Sequence, residues 1–398
     1  MRNKRSAAIW ASITAVVLIV LGYLLVSDLG KADGDVERPL NTLAPAGSKA
    51  WSIFGLMVPV YIVAGIVFVS VQVGLIWVAR RFKRNDDDVD GVDEPEQVHG
   101  NTKLEIGWTL LPALLLAVLA VPNVQTILSL DDAEDPLEIN VIGHQWWWEY
   151  RYDVDDDGEF EIITANEAAI PVGRDVKFLI QSRDVIHSFW IPQLQGKLDA
   201  VPGRTHALVL DAEEPGLYEG QCTEYCGLSH GVMRMQVKAL PQEEFDEWLE
   251  LMQTPPEQPT DPLALAGQEL FVSQCTMCHQ IDGILPGDTA PFEYSNEPDQ
   301  DYGETVNSPT LAKNAPNLTH FMMRQKFVGG LLDLYEGDQD PSVRPWEDAE
   351  PNVNNIKRWL RDPLGVKPMN PDNNQGMPDY GLTEEQIDQI TAFLLTLK

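Results

Sequence analysis

Three long apolar segments dominate the pattern of hydrophobic and polar positions along the chain, at residues 7–26, 51–78 and 110–130. As a helix, each segment is long enough to cross a hydrocarbon core of about 30 Å. The pattern therefore predicts a transmembrane helical hairpin over residues 51–130. The first segment, within residues 1–30, has the basic start and apolar core of either a retained anchor helix or a cleaved secretory signal.

Basic residues flank these segments unevenly. Arg2 and Arg5 precede the first segment, and a basic cluster at residues 80–84 follows the second. Because positively charged flanks stay in the cytoplasm, residues 80–103 are predicted to form a cytoplasmic loop, with everything from residue 131 on the extracytoplasmic side. We therefore expect a multi-pass membrane protein.

After residue 131 the apolar positions occur in short runs that predict β-strands. These runs cover residues 137–142, 168–173, 176–181, 207–210 and 232–240. Turn-forming residues separate them, which indicates a β-sandwich or β-barrel over residues 131–253.

The rest of the chain predicts a linker followed by a helical domain. Residues 254–262 are rich in proline, which favours an extended, semi-rigid chain. In the domain at residues 263–398, Asp261 and Pro262 mark a helix start. Thr383 to Gln386 forms the capping box of a final helix, and the acidic stretch at residues 281–314 is predicted to be a loop insertion.

The charge balance excludes one class of partner. The chain has 398 residues, with 28 basic and 61 acidic side chains and a formal net charge of −33. Because binding to phosphate backbones requires clustered lysine and arginine, we expect no nucleic-acid partner. The acidic surface suits either a basic protein partner or solvation in salty surroundings.

A short segment from residue 222 to residue 233 concentrates metal-binding side chains. It contains Cys222, Cys226, His230 and Met233, and His187 lies upstream. Sulfur ligands combined with imidazoles select copper over harder metals. A mononuclear blue-copper site would use one cysteine, whereas two thiolates that face the same way can bridge two copper ions, each with one histidine.

A structural zinc site and a disulfide are the alternatives for this segment. Cysteines in zinc sites are typically separated by about two to four residues, so the spacing of Cys222 and Cys226 alone permits zinc. Met233 argues against zinc, because a thioether is a poor zinc ligand. Copper is therefore the favoured metal.

Residues 275–279 read Cys-Thr-Met-Cys-His, which is the attachment signal for a c-type haem. Cys275 and Cys278 would form thioethers to the haem vinyl groups, and His279 would bind the iron. A redox cysteine pair or half of a zinc knuckle are the alternatives, but no cysteine follows Cys278 to complete a knuckle.

The iron of such a haem needs a sixth ligand, and a methionine opposite the histidine suits electron transfer. Met322 and Met323 lie in an apolar stretch and are expected in the core. Met377 lies in a loop between glycine and proline, just before the final helix, and is the favoured ligand. Met369 is the alternative.

The copper motif and the aromatic run at residues 143–152 together resemble subunit II of the haem–copper cytochrome c oxidases. The resemblance implies a cupredoxin-like β-barrel that holds a binuclear copper-A centre above a transmembrane helical hairpin. The implied copper ligands are the side chains of His187, Cys222, Cys226, His230 and Met233, with the backbone carbonyl of Glu224.

The same resemblance implies roles for three further side chains. Trp146 would be the point at which electrons reach copper, while the aromatic run also packs as a buried core. Glu224 would reach a magnesium ion shared with the catalytic subunit. Residues 104–112 resemble the start of the second core helix of this family, which would place Glu105 at the mouth of a proton channel. The alternative for Glu105 is an ordinary glutamate at a helix start.

Residues 263–398 resemble a class I cytochrome c, as fused to subunit II in some bacterial oxidases. Gly267 and Phe271 resemble the contact between the first and last helices of that family, and residues 315–318 resemble the segment that supports the haem histidine. The implied fold class is a multidomain membrane protein with a transmembrane α-helical hairpin, a cupredoxin-like β-barrel and an all-α cytochrome c domain.

These resemblances predict subunit II of a cytochrome c oxidase in a bacterial plasma membrane. Electrons from a quinol–cytochrome c reductase or a small cytochrome c would pass through haem c and copper A to subunit I, where oxygen is reduced and protons are pumped. Subunit III is a further expected partner. The alternatives are the electron-accepting subunit of another reductase, such as nitric oxide reductase, and a membrane-anchored copper-binding assembly factor.

Overall fold

The computed structural model describes residues 40–83, 89, 99–155, 157–158, 160–282, 315–337, 342–373 and 375–398. The predicted N-terminal helix and almost all of the predicted insertion after His279 lie outside these residues. The chain forms two compact units. One contains Trp51–Leu130, and the other joins Asp131–Lys398 with the residues just before Trp51.

Two long apolar helices make up the first unit. Helix α1 covers Ser48–Arg81 and helix α2 covers Thr102–Ser129, and both are long and apolar enough to cross a membrane. Both helices begin before the predicted apolar segments, at Ser48 and Thr102. At the start of α2, the Asn101 side chain accepts the Leu104 amide at 3.2 Å, and Glu105 accepts the Asn101 amide at 3.1 Å.

Ten strands build the first part of the second unit. They are β1 (Leu137–His144), β2 (Trp147–Tyr152), β3 (Ile162–Ala165), β4 (Glu167–Pro171), β5 (Val176–Ser182), β6 (His187–Phe189), β7 (Leu198–Ala200), β8 (His206–Leu210), β9 (Gly216–Gln221) and β10 (Arg234–Leu240).

These strands form a β-sandwich whose two sheets share one core. The larger sheet has the order β3-β2-β1-β5-β8, the smaller has the order β4-β10-β9, and β6 pairs with β7. Trp148 and Phe178 from the larger sheet and Val237 from the smaller are fully buried in the same cluster. The described strands thus form two open sheets rather than a closed barrel, and the predicted cupredoxin-like fold is confirmed in this open form.

The aromatic run contains a strand, β2, that was not predicted. Trp148 and Tyr150 point into the sandwich core. On the other face, Trp147 stacks on His144 with ring centroids 4.2 Å apart, and Glu149 is buried. Because both faces are covered, the strand lacks the alternation of apolar and polar positions by which half-buried strands are recognised.

The second part of this unit is helical, apart from two short strands. Its elements are α3 (Gln242–Met252), α4 (Pro262–Gln274), β11 (Lys326–Phe327), β12 (Leu332–Asp333), α5 (Pro345–Asp348), α6 (Val353–Arg361), α7 (Pro363–Val366) and α8 (Glu384–Leu394).

The predicted helix signals are present in the structure. The Asp261 carboxylate accepts the Leu263 amide at 2.9 Å and the Ala264 amide at 3.1 Å, which caps α4. Thr383 and Gln386 form the predicted capping box of α8. Helix α3 connects the two parts, because its apolar face packs on the sandwich core.

Helices α4 and α8 cross at Gly267. A Cβ atom at this position would lie 1.9 Å from the Gln389 carbonyl oxygen and 2.9 Å from the Phe393 Cβ. One turn further on, the rings of Phe271 and Phe393 meet with centroids 5.4 Å apart. The glycine therefore permits a close helix crossing that brings the end of α4 over the helical core.

A buried ion pair joins the sandwich to the helical part. The ammonium group of Lys238 on β10 lies 2.8 Å from Glu167 on β4, and it donates to the Met323 carbonyl at 3.0 Å. Glu167 also accepts the Gln325 amide at 2.8 Å. Lys238 is fully buried and Glu167 nearly so. Since an incompletely paired buried charge is costly, these contacts from the helical part stabilise one fixed packing of the two parts.

We expect Gly267→Ala to destabilise the helical part by about 1–3 kcal/mol, because the methyl group forces α4 and α8 apart. In an exposed helix the same change would stabilise the protein by up to about 1 kcal/mol, so the sign of the effect tests the crossing. The measurement is denaturant unfolding of the full chain followed by tryptophan fluorescence. The control Glu269→Ala, at an exposed position of α4, should change stability by less than about 0.5 kcal/mol. Equal stability of Gly267→Ala and the parent would contradict the crossing.

Candidate copper and haem sites

The candidate copper site is a loop between β9 and β10 that is closed by main-chain hydrogen bonds. The Cys222 amide donates to the Met233 carbonyl at 3.0 Å, and the Thr223 amide donates to the Ser188 carbonyl at 3.0 Å. The first bond closes the loop, and the second ties it to β6, where His187 lies. Residues that are distant in sequence therefore meet at one end of the sandwich.

The structure brings the predicted copper ligands together around the two sulfur atoms. The Sγ atoms of Cys222 and Cys226 are 3.8 Å apart. His187 Nδ1 lies 3.9 Å from the first sulfur, and His230 Nδ1 lies 3.6 Å from the second. Met233 Sδ lies 3.8 Å from Cys226 Sγ. Each cysteine thus has its own histidine, as the predicted binuclear arrangement requires.

Glu224 contributes to this loop through its backbone. Its carbonyl oxygen lies 3.3 Å from Cys222 Sγ, whereas its side chain belongs to an exposed residue. Among the described residues, no group of three metal-binding side chains includes Glu224.

The donor set fits copper. The distance between the two sulfur atoms, 3.8 Å, far exceeds the disulfide bond length of about 2.05 Å, so the structure holds two thiols. His187 and Met233 are fully buried, and Cys222 and Cys226 nearly so. A buried set of soft sulfur and imidazole donors matches the ligand preference of copper.

The interaction between the two thiols favours the loss of one proton from the pair. The hydrogen bond between the two thiols lowers the pKa of Cys222 to about 4 and raises that of Cys226. Burial alone would lower the pKa of His187, but hydrogen bonds with Asp184 and Cys222 raise it above its ordinary value. The arrangement therefore favours a Cys222 thiolate beside a positively charged His187 ring.

Asp184 orients His187, and the sequence analysis did not identify it. Its carboxylate lies 2.7 Å from His187 Nε2, which leaves Nδ1 directed at the sulfur. Asp184 also accepts the Gln145 amide at 2.6 Å. A carboxylate three residues before a candidate ligand was the only available signal, and it is too common to be specific.

Trp146 lies against the copper loop. Its indole Nε1 donates to the Cys226 carbonyl at 2.9 Å, and the neighbouring Gln145 side chain donates to the same carbonyl at 2.7 Å. Only 3% of the Trp146 surface is exposed. The predicted aromatic residue is therefore in direct contact with a candidate copper ligand.

The candidate haem site is a cavity of about 310 Å³ in the second unit. Cys275, Cys278 and His279 line it from the end of α4, and Met377 lines it as well. His279 Nδ1 lies 2.8 Å from the Pro316 carbonyl, which leaves Nε2 available for iron. Burial lowers the pKa of His279 and so keeps the imidazole neutral, as an iron ligand requires.

A buried guanidinium also lines this cavity. Arg324 is nearly fully buried, and within the described part of the chain its Nε atom has no hydrogen-bond partner. Burial lowers the pKa of Arg324 to about 10. An unpaired buried donor beside an apolar cavity suits the carboxylate substituent of a haem, so the cavity fits the group that the motif implies.

The two candidate axial methionines both line the cavity but pack on different cores. Met377 packs on the core of the helical part, and Met369 packs on the core of the sandwich. Gly376 lies between the two methionines in sequence and packs closely on Met369. Its φ of +100° favours glycine, and a Cβ atom at this position would lie 2.3 Å from Met369 Sδ. Met322 and Met323 are buried as expected and do not line the cavity.

The cavity has a wall that comes from the sandwich. Gln145, Trp146, Trp147 and Asn166 line it together with the haem-binding motif. The aromatic run was predicted at the copper centre and in a buried core, and not at the haem site. Its contact with the second site arises from the packing of the two parts and has no local signal in the sequence.

We expect Asp184→Asn to weaken copper binding by roughly ten- to a hundredfold, because loss of a carboxylate that orients a ligating histidine has effects of this size. The amide keeps the shape of the side chain but removes the charge that favours Nε2–H. Competition with a chelator measures the affinity. Asp135→Asn is the control, because Asp135 is exposed and pairs only loosely with Arg174 at 3.9 Å. Equal affinities in the two variants would contradict the orienting role.

Comparison with known proteins places these sites in a family. Three family models match the chain: the transmembrane domain of cytochrome c oxidase subunit II at residues 45–126, its periplasmic domain at residues 156–240, and cytochrome c at residues 264–398. The first two confirm a membrane-anchored protein with a domain outside the cytoplasm, and the domain types imply copper A and haem c.

Relatives named cytochrome c oxidase subunit 2 cover nearly the whole chain. The protein from Alkalihalophilus pseudofirmus is 34% identical, with 91% of this chain and 92% of the relative aligned. The protein from Bacillus sp. strain PS3 is 34% identical, with 90% of this chain and 92% of the relative aligned. The chain also matches a crystal structure of the periplasmic domain of subunit II from Bradyrhizobium japonicum, with 29% sequence identity. This match covers 31% of this chain and 96% of that chain, with a TM-score of 0.28. On the strength of the two relatives of 34% identity, the chain belongs to the family of cytochrome c oxidase subunit II, in a form in which a cytochrome c domain follows the periplasmic domain.

Proposed function

We propose that this chain transfers electrons within a cytochrome c oxidase, from an external donor through haem c and copper A to subunit I. The observation that supports this route most strongly is the shared wall of the haem cavity. Trp146 lines the cavity and donates its indole N–H to the carbonyl of Cys226 in the copper loop. A single side chain thus contacts both candidate cofactor sites.

The residues that would hold copper are the side chains of His187, Cys222, Cys226, His230 and Met233, with the carbonyl of Glu224. When bound, the copper pair and the haem supply one-electron redox chemistry. The chain contributes a rigid, buried set of donors, because the loop is closed by main-chain hydrogen bonds and His187 is held by Asp184. Burial also keeps water away from the two thiolates.

The residues that would hold haem c are Cys275 and Cys278 as thioethers, with His279 and Met377 on the iron. Hydrogen bonding to Pro316 fixes the ring of His279 in the tautomer that an iron ligand needs. Arg324 would receive a carboxylate of the haem. Met377 is favoured over Met369 because it packs within the helical core that forms the rest of the cavity.

The expected partners are oxidase subunit I, where oxygen would be reduced and protons pumped, and subunit III. A quinol–cytochrome c reductase or a small cytochrome c would donate electrons. We also propose that Glu224 shares a magnesium ion with subunit I and that Glu105 lies at a proton channel, although Glu105 also has a structural role at the start of α2. The helical hairpin would place both ends of the loop at residues 80–103 in the cytoplasm of a bacterial cell.

The two alternatives lose support. The relatives reported above, which match along nearly the whole chain, are named as subunits of a cytochrome c oxidase, which favours the oxidase over a nitric oxide reductase. A copper-binding assembly factor needs exposed ligands that exchange metal, whereas Cys222, Cys226 and His187 are buried.

The proposal is tested by measuring copper and haem in the full-length protein, purified in detergent after expression with haem maturation. Two copper ions and one covalently bound haem per chain are expected. A single copper ion, or zinc in its place, would contradict the copper-A site, and absence of covalent haem would contradict the route from the cytochrome c domain.

We expect Cys226→Ser to lose the binuclear copper site, because one remaining thiolate cannot bridge two ions as a pair does. Copper content and the visible spectrum of the purified protein measure this loss. The control is Leu228→Ala in the same loop, where 60% of the leucine is exposed, and it should keep the parent spectrum. Retention of two copper ions in Cys226→Ser would contradict the ligand assignment.

We expect Met377→Ala to lower the reduction potential of the haem, because methionine opposite histidine raises it. The matched variant Met369→Ala should leave the potential near that of the parent. Redox titration of the haem absorbance measures both. If Met369→Ala lowers the potential and Met377→Ala does not, the axial assignment is reversed.

A further inference from the structure

A segment of the cytochrome c domain lies directly on the copper domain. We name residues 367–377 the methionine loop. The Lys367 ammonium group donates to the Trp146 carbonyl at 2.6 Å and to the Val328 carbonyl at 3.4 Å. The next residue, Pro368, accepts a hydrogen bond from the hydroxyl of Ser229 in the copper loop.

The far end of the methionine loop makes a second contact with the same region. The Gln375 side chain donates to the Gln145 side chain at 2.7 Å, and Gln145 in turn donates to the Cys226 carbonyl at 2.7 Å. The loop that carries the candidate axial ligand Met377 is therefore hydrogen-bonded to the loop that carries the candidate copper ligands.

The burial of the Lys367 side chain is unfavourable in free energy. Only 4% of it is exposed, and among the described residues no carboxylate forms an ion pair with it. Burial lowers its pKa to about 7. An apolar side chain of similar length would pack here without the cost of removing an ammonium group from water. An apolar side chain could not make the hydrogen bonds of the Lys367 ammonium group, and the shortest of these bonds is to the Trp146 carbonyl.

We infer that Lys367 is a positioning residue for electron transfer between the two cofactor sites. Trp146 is held at both ends: its indole N–H bonds to the copper loop, and its carbonyl bonds to Lys367. Lys367 lies in the methionine loop and holds the backbone of Trp146 against it. The indole ring therefore keeps one position between the copper and haem sites. The inference rests on the proposed function. In the step concerned, a bound haem would supply one electron and be oxidised, and a bound copper pair would accept that electron and be reduced.

Other contacts already hold the two domains together. The buried ion pair between Lys238 and Glu167 is hydrogen-bonded to main-chain groups of the cytochrome c domain, namely the Met323 carbonyl and the Gln325 amide. Arg344 pairs with Glu247 on α3 at 2.8 Å. Loss of the Lys367 ammonium group should therefore loosen Trp146 without releasing the domain, and this separates a positioning role from a docking role.

The test compares Lys367→Met with the parent in the assembled oxidase. Methionine keeps the apolar length of the side chain and removes the donor. A photoexcited ruthenium complex with a sacrificial electron donor reduces the haem by one electron after a light flash, and the rate of haem reoxidation by copper is followed optically. The reduction potentials and spectra of both centres and the hydrogen exchange of the amides around Trp146 are measured on the same samples.

We expect haem content, copper content and both potentials to match the parent, while the transfer rate falls severalfold, because the indole no longer keeps one position between the two sites. Amide exchange around Trp146 should become faster. The control is Lys357→Met, since Lys357 pairs with Asp388 at 2.6 Å within the cytochrome c domain, and its transfer rate should match that of the parent.

Three outcomes would overturn the inference. An unchanged transfer rate in Lys367→Met would show that the lysine does not position the route. A slower rate with faster amide exchange throughout the domain interface would make Lys367 a docking residue instead. If the parent itself shows no electron transfer from haem to copper, both the proposed function and the inference fail. If parent and variant transfer electrons at the same rate, the proposed function stands and only the inference fails.

Discussion

The copper domain depends on the main-chain hydrogen bond between Cys222 and Met233, which closes the loop between β9 and β10. Metal ligands on a free loop would sample many positions, and gathering them would cost conformational entropy. Here the loop is closed by its own backbone and tied to β6 through Ser188. His187 and the two thiols therefore face one another before any metal is considered, and Asp184 turns the imidazole toward the sulfur.

The packing of the two extracytoplasmic domains follows from a second constraint, which is the satisfaction of buried charge. Lys238 is fully buried at the domain boundary, and its ammonium group needs both Glu167 and the Met323 carbonyl. A cytochrome c domain that swung away on its linker would remove that carbonyl and also the Gln325 amide from Glu167. The interface therefore has a preferred geometry, and that geometry places the haem cavity against Trp146.

Local sequence patterns predicted those features whose causes are local. The apolar segments predicted α1 and α2, and the cap residues predicted the starts of α4 and α8, because each depends on neighbours a few residues away. The donors of the copper loop were recognised for the same reason. Strand β2 was missed because both of its faces are covered, and Asp184 was missed because a single carboxylate carries no specific spacing.

The contacts between the domains could not be predicted from local patterns at all. Lys367 and Trp146 are 221 positions apart, and nothing around either residue indicates the other. Lys238 lies on a strand whose period would place a lysine toward solvent, but its ammonium group is buried and donates to the Met323 carbonyl of the cytochrome c domain. Such pairs follow from the final packing, which the sequence specifies only through the sum of many weak preferences.

The burial of Trp146 has a kinetic consequence for the proposed route of electron delivery. With 3% of its surface exposed and the methionine loop above it, this side chain is closed to a carrier that arrives by diffusion. A tethered carrier converts a bimolecular encounter into an intramolecular event. In the proposed route, the supply of electrons to copper would depend on the occupancy of the chain's own haem. The concentration of free carriers, and the salt that screens their approach, would act one step earlier, at the cytochrome c domain.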